Sequence, residues 1–124
     1  MSEMLSVLYV EDNESEVDIL LMSLERHGFG STLILDVAET VEEAKEIFDV
    51  DKHMAALIDW NLPDGEGPDV AQFIREKHHT MPIVFLSAAI TDEHLRIAEK
   101  YTPKACLEKN YSKAFIEKIS QLLG

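Results

Sequence analysis

Two rhythms of apolar and polar positions alternate along the whole chain. Short apolar runs recur at Leu5–Val10, Thr32–Val37, Met54–Ile58, Ile83–Leu86 and Ala105–Leu107. Each is too short for a stable helix and most are rich in β-branched or aromatic residues, so five strands are predicted. Helical spacing fills the gaps between them: Val17, Leu20, Leu21 and Leu24; then Ala44, Ile47 and Phe48; then Val70, Phe73 and Ile74; then Leu95 and Ala98; then Phe115, Ile119 and Leu122. Start signals support these five helices. Asn13 precedes Glu16, and Thr40 precedes Glu43, by the three residues of a capping box. Thr91 or Asp92 suits the start of the fourth helix and Ser112 that of the fifth, while Gly28 suits the stop of the first.

Strict alternation of strand and helix implies a parallel sheet with right-handed crossovers. The Met54–Ile58 run is apolar throughout, as a strand covered on both faces should be. The expectation is one α/β domain over residues 1–124, doubly wound, with five helices and a five-stranded sheet in three layers. Nothing in the chain reads as a linker or a composition break. Ligands of such sheets bind beyond the carboxyl ends of the strands. Four of the five strands end in polar chemistry: Glu11 and Asp12, Asp59, Ser87, and Lys109. The second strand leads into Val37 and Ala38 and offers none. That fits the second strand at an outer edge, in the flavodoxin-like order 2-1-3-4-5.

Three carboxylates on one rim repel one another by kilocalories per mole. Either their pKa values rise or a cation sits among them. Oxygen donors of this kind favour Mg²⁺ over softer metals, and the backbone carbonyl of Asn61 offers a further ligand. A lone strand-end Asp is usually a turn former, a lone Ser a cap and a lone Lys a solvated charge. The specificity lies in their combination on one rim.

Composition narrows the partners. With 11 basic and 24 acidic side chains the net charge is −13, which repels phosphate backbones and anionic lipids, so no direct nucleic-acid or membrane contact is expected. No apolar run approaches ~20 residues, and the first ten residues lack the basic start of a signal peptide. The one cysteine, Cys106, permits no internal disulfide and suits a cytoplasmic location. His27, His53, His78, His79 and His94 show no metal-binding spacing. The five methionines read as core or terminal residues.

At this point the chain resembles, over its whole length, the receiver domains of two-component response regulators. Val7–Asn13 is similar to the family's first strand and acidic pair. Ala56–Gly67 resembles its phosphorylation-site stretch, with Pro63 and Gly67 four and eight positions after Asp59. Pro82–Ala88 resembles its fourth strand with the hydroxyl residue, and Lys109 matches its lysine. The resemblance implies that Asp59 accepts a phosphoryl group from a histidine kinase or a phosphotransfer protein. It implies that Glu11 and Asp12 hold Mg²⁺, with Glu11 acting directly or through water. Ser87 and Lys109 would meet the phosphoryl oxygens, and the face of the fourth helix, fifth strand and fifth helix would bind a downstream protein.

Two positions depart from the family. Cys106 stands where an aromatic switch residue is usual, and Asn110 follows the lysine where proline is usual. A cis bond before a non-proline residue costs about 3–4 kcal/mol, so a trans bond is expected here. Neither change removes a phosphorylation residue, but Cys106 has no aromatic ring to swing, so the usual aromatic–hydroxyl coupling is not expected. The main competing reading is a receiver-like interaction module that is never phosphorylated. A haloacid-dehalogenase phosphatase would want Asp where Asn61 stands. A flavodoxin would want a Ser/Thr/Gly-rich loop where Glu11–Glu14 stands. No output domain is evident, which fits a stand-alone regulator or a segment of a longer chain.

Overall fold

The computed structural model describes residues 4–124. Its elements are β1 (Leu5–Val10), α1 (Glu14–Arg26), β2 (Leu33–Ala38), α2 (Val41–Ile47), β3 (Ala55–Asp59), β4 (Asn61–Leu62), β5 (Gly65–Glu66), α3 (Gly67–Lys77), β6 (Ile83–Ser87), α4 (Asp92–Ala98), β7 (Ala105–Glu108) and α5 (Lys113–Leu123). A short 3-10 turn, Glu99–Tyr101, extends α4. The predicted strands one to five are β1, β2, β3, β6 and β7, and they pair in the parallel order β2-β1-β3-β6-β7. The expected doubly wound architecture is therefore the one observed. The turn-rich stretch after Asp59 adds a two-residue antiparallel hairpin, β4–β5, that the turn signals alone did not separate from loop.

Side chains alternate across the sheet because strand period is two. Leu8, Val10, Ala56, Ile58, Ile83 and Phe85 meet the inner residues of α2, α3 and α4. Val7, Tyr9, Leu57, Val84 and Leu86 meet those of α1 and α5. All five residues of β3 and of β6 are buried, as expected for central strands under helices on both faces.

Several inner-face expectations shift. Leu95 is 46 % exposed, while Ala98 is buried and Ile97 packs against the core. With only seven residues, α4 carries too little periodicity to fix its inner face by spacing. Leu21 is exposed, with Leu20 and Leu24 alone buried on α1, and Ile47 is exposed at the end of α2. Met81 is a core residue, but Met22 and Met54 are exposed. β3 begins one residue after Met54, which lines an open groove with Met4, Phe29 and Leu33. Met1 lies outside the described residues. Among the described residues, no helix is long and apolar enough to cross a membrane.

Candidate functional site

Each polar strand end is carried onto the rim by the ladder beside it. The Glu11 amide donates to Ala38 O (2.9 Å), which continues β1 alongside β2. The Lys109 amide donates to Ser87 O (3.0 Å), which sets the lysine just beyond the end of β6. Trp60 N–H donates to Leu86 O (2.8 Å) and Gly67 N–H to Trp60 O (2.7 Å), so the chain folds back tightly after Asp59. Glycine is required at 67, because a Cβ there would lie 2.8 Å from Asp59 O. Asp64 in the same loop accepts from the amides of Val41 (2.8 Å) and Glu42 (3.1 Å), fastening the loop to the start of α2.

Glu11, Asp12 and Asp59 each offer a carboxylate oxygen, and these oxygens lie within 4.8 Å of one another. Glu11 and Asp59 are buried and Asp12 is exposed. Lys109 Nζ lies 2.8 Å from Glu11 Oε1 and 3.1 Å from Asp59 Oδ1. Burial raises the Glu11 carboxyl to about 7; its hydrogen bond to Lys109 opposes that rise and the charge of Asp59 adds to it. Burial also raises Asp59, against the pull of Lys109. Burial alone would lower the Lys109 ammonium, but its hydrogen bond to Glu11 and the charges of Asp59 and Glu11 outweigh it, and the group is held charged.

Ser87 is buried at the end of β6, where its hydroxyl donates to Ala89 O (2.9 Å). The neighbouring Ala88 is exposed. Asn61 is exposed and pairs with Glu66 across the β4–β5 hairpin. Cys106 pairs in register with Phe85 and packs at the margin of the core; burial pushes its thiol up. The Lys109–Asn110 peptide bond is trans. Asn110 Oδ1 accepts from the Ser112 amide (2.9 Å), and Tyr111 takes a positive φ of 52° in that turn.

One rim residue was hidden by its capping pattern. Glu16 does not return to the Asn13 amide; Glu11 Oε2 takes that bond at 3.3 Å, while Asn13 caps the Glu16 amide at 3.1 Å. Glu16 instead turns to Lys109 Nζ, 3.2 Å away, and accepts from the Tyr111 hydroxyl at 3.3 Å. Helical side chains lean toward the helix N-terminus, so an acid in the first turn after β1 reaches the rim. That lean was the available signal. His53 is also more than a surface histidine: it is buried, its Nδ1 accepts from the Asp49 amide (3.0 Å) and its Nε2 meets Asp36 (2.8 Å).

Strand order and convergent side chains together define a flavodoxin-like α/β module with an acidic, lysine-braced rim. A family profile described as the response regulator receiver domain matches residues 7–121. The chain is 34 % identical over 82 residues to the photosynthetic apparatus regulatory protein RegA of Cereibacter sphaeroides, covering 66 % of this chain and 42 % of RegA. It is 34 % identical over 85 residues to the sensory transduction protein RegX3 of Mycobacterium tuberculosis, covering 68 % of this chain and 35 % of RegX3. It thus spans less than half the length of these curated relatives. The non-phosphorylated HemR receiver domain of Leptospira biflexa superposes with a TM-score of 0.81 at 27 % identity, over 97 % of this chain and 94 % of that one. Chemotaxis protein CheY4 of Vibrio cholerae shares the fold at a TM-score of 0.83 and 18 % identity, over 98 % and 100 % of the two chains. The chain belongs to the response regulator receiver domain family of two-component systems.

Proposed function

We propose that Asp59 is the phosphoacceptor of this domain, assisted by Mg²⁺, Lys109 and Ser87. The observation that carries the reading is the Lys109–Asp59 pair at 3.1 Å beside two further carboxylates. An Asp59 oxygen attacks the phosphorus of a phosphohistidine on a histidine kinase or phosphotransfer protein. The new O–P bond forms as the P–N bond breaks; the leaving imidazole nitrogen keeps the electron pair and takes up a proton. Such transfer depends on positioning and charge neutralisation more than on covalent help from bystanders. Lys109 already faces the nucleophile, and its charge opposes the rise that burial imposes on the Asp59 carboxyl.

The donor set suits Mg²⁺. Oxygens around an octahedral ion are about 3.0 Å apart as neighbours and about 4.2 Å apart when opposite, from an Mg–O distance near 2.1 Å. The three carboxylate oxygens need only small movements to match that spacing. Asp12 and Asp59 would hold the ion, with Glu11 directly or through water and the Asn61 carbonyl completing the protein ligands. When bound, the ion supplies positive charge against the phosphoryl oxygens.

An aspartyl phosphate adds nearly two negative charges to the rim. Ser87 would then turn from Ala89 O toward a phosphoryl oxygen, drawing the β6–α4 loop inward. That shift would bias α4, β7 and α5 toward a second arrangement that binds a downstream protein. A cytoplasmic location is part of this reading. The test is incubation with Mg²⁺ and acetyl phosphate followed by intact mass. One added phosphate on the wild type and none on Asp59→Asn supports the reading. A wild type that stays unmodified with both acetyl phosphate and a panel of phosphorylated histidine donors overturns it in favour of an interaction module.

A further inference from the structure

The Lys109 ammonium has three N–H donors and three carboxylates around it. It hydrogen-bonds Glu11 at 2.8 Å and Glu16 at 3.2 Å, and it pairs with Asp59 at 3.1 Å. Glu16 comes from the first turn of α1 and lies outside the four strand ends that carry the site. It is itself fixed from a second side by the Tyr111 hydroxyl, at 3.3 Å. Tyr111 in turn is set by the Asn110 turn and by an edge-on contact with Phe115, the ring centroids 5.4 Å apart. The tether therefore runs from α5 through the loop after β7 to α1, and ends on the lysine.

We propose that Glu16 is a positioning residue that, with Tyr111, holds Lys109 Nζ in place so that its third donor is presented to whatever occupies Asp59. The inference rests on the phosphoacceptor reading. When Asp59 carries a phosphoryl group, the donor that faced its carboxylate turns to a phosphoryl oxygen. Glu11 and Glu16 retain the other two donors, so the ammonium need not be repositioned during transfer. A flexible lysine stem carries many rotamers, and anchoring it in advance removes that entropic cost from the transfer step. The same tether makes α1 and the loop before α5 move together with the lysine.

Three variants separate positioning from simple charge. Glu16→Ala removes the tether and the charge. Glu16→Gln removes the charge but keeps an acceptor oxygen for Lys109. Tyr111→Phe removes only the hydroxyl that braces Glu16 and keeps the ring on Phe115. The expected result is a roughly ten-fold slower phosphorylation by acetyl phosphate in Glu16→Ala. Glu16→Gln should restore most of the rate, and Tyr111→Phe should fall between them. A structural readout accompanies the rates in metal-free protein: the Nζ and Cε resonances of Lys109, assigned by their loss in Lys109→Ala. They should be distinct from solvated lysines in wild type and Glu16→Gln and merge with them in Glu16→Ala. Equal acceleration in Glu16→Ala and Glu16→Gln would mean that Glu16 merely repels the phosphodonor, and overturns the proposal. So do rates and resonances that match wild type in all three variants. A wild type that takes no phosphate refutes the phosphoacceptor reading itself, an outcome distinct from equal rates in a working domain.

Discussion

The imidazole of His94, in the first turn of α4, stands with its centroid 4.4 Å from the indole of Trp60, the residue that follows Asp59. Trp60 is buried, and its other neighbour is Phe85 on β6, 5.2 Å away and edge-on. This tilted ring contact joins the residue after Asp59 to α4. Trp60 is also the one tryptophan of the chain. Its emission should therefore change when Mg²⁺ is added, and His94→Ala should alter the starting spectrum by removing a ring in contact with the indole. A fluorescence titration reads both. Emission indifferent to Mg²⁺ in wild type would separate Trp60 from events at the rim.

The metal-free site should make the protein less stable as pH rises. Burial holds Glu11 up to about 7, from an ordinary 4.5, and Asp59 is raised by the same cause. The folded pKa exceeds the unfolded one, so the folded chain binds protons more tightly. The resulting stabilisation is complete below about 4.5 and is lost as pH rises through about 7. Thermal melts in chelator should thus show a falling midpoint from pH 5 to pH 8, with a flatter profile in Glu11→Gln. Magnesium needs deprotonated ligands, so the stabilisation it adds should grow over the same range. A metal-free midpoint that climbs from pH 5 to pH 8 would contradict the raised carboxyls.

The parts of this fold legible in the sequence were those decided by local rhythm. Five apolar runs and five helical stripes give the βα order, and a polar residue after a strand needs only the strand's direction to be placed on the rim. Residues whose roles depend on distant partners were not legible. Glu16 carries a capping pattern that local rules fully absorb, yet its carboxylate serves a lysine 93 positions away. His53 is buried and its Nε2 meets Asp36 on β2, a partner 17 positions away. Leu95 and Ile97 are both apolar, and only tertiary packing decides that Ile97 turns toward the core while Leu95 is exposed.

Gly67 is held by close approach, so its smallest replacement is informative. A Cβ would meet Asp59 O at 2.8 Å, Ile58 Cγ2 at 3.2 Å and Phe85 Cδ1 at 3.3 Å. The nearest of these is backbone, which cannot rotate aside. Gly67→Ala should cost about 1–3 kcal/mol, the usual range for overpacking, and should displace the loop that carries Asp59. Urea denaturation measures the first effect and the rate of acetyl-phosphate labelling the second. A variant within about 0.5 kcal/mol of wild type would show that the turn has slack.

Enlarging Cys106 should have the opposite character. Cys106 lines a cleft of about 620 Å³ with Leu95, Ala98, Thr102 and Pro103, open on the side of α4 and β7. Cys106→Phe adds a ring where space already exists, so the overpacking penalty that applies at Gly67 should be absent. The variant is expected to stay within about 1 kcal/mol of wild type in urea denaturation, since burial of the ring offsets the rearrangement. An aromatic ring there would also lie next to the β6 strand end, because residue 106 pairs with Phe85, two positions before Ser87. If aromatic–hydroxyl coupling is absent only for want of a ring, Cys106→Phe should change the Trp60 emission response to phosphorylation while Cys106→Ala leaves it as in wild type. A loss of about 2 kcal/mol or more in Cys106→Phe would mean that the thiol faces packed core, and that the small residue is demanded by space rather than by signalling.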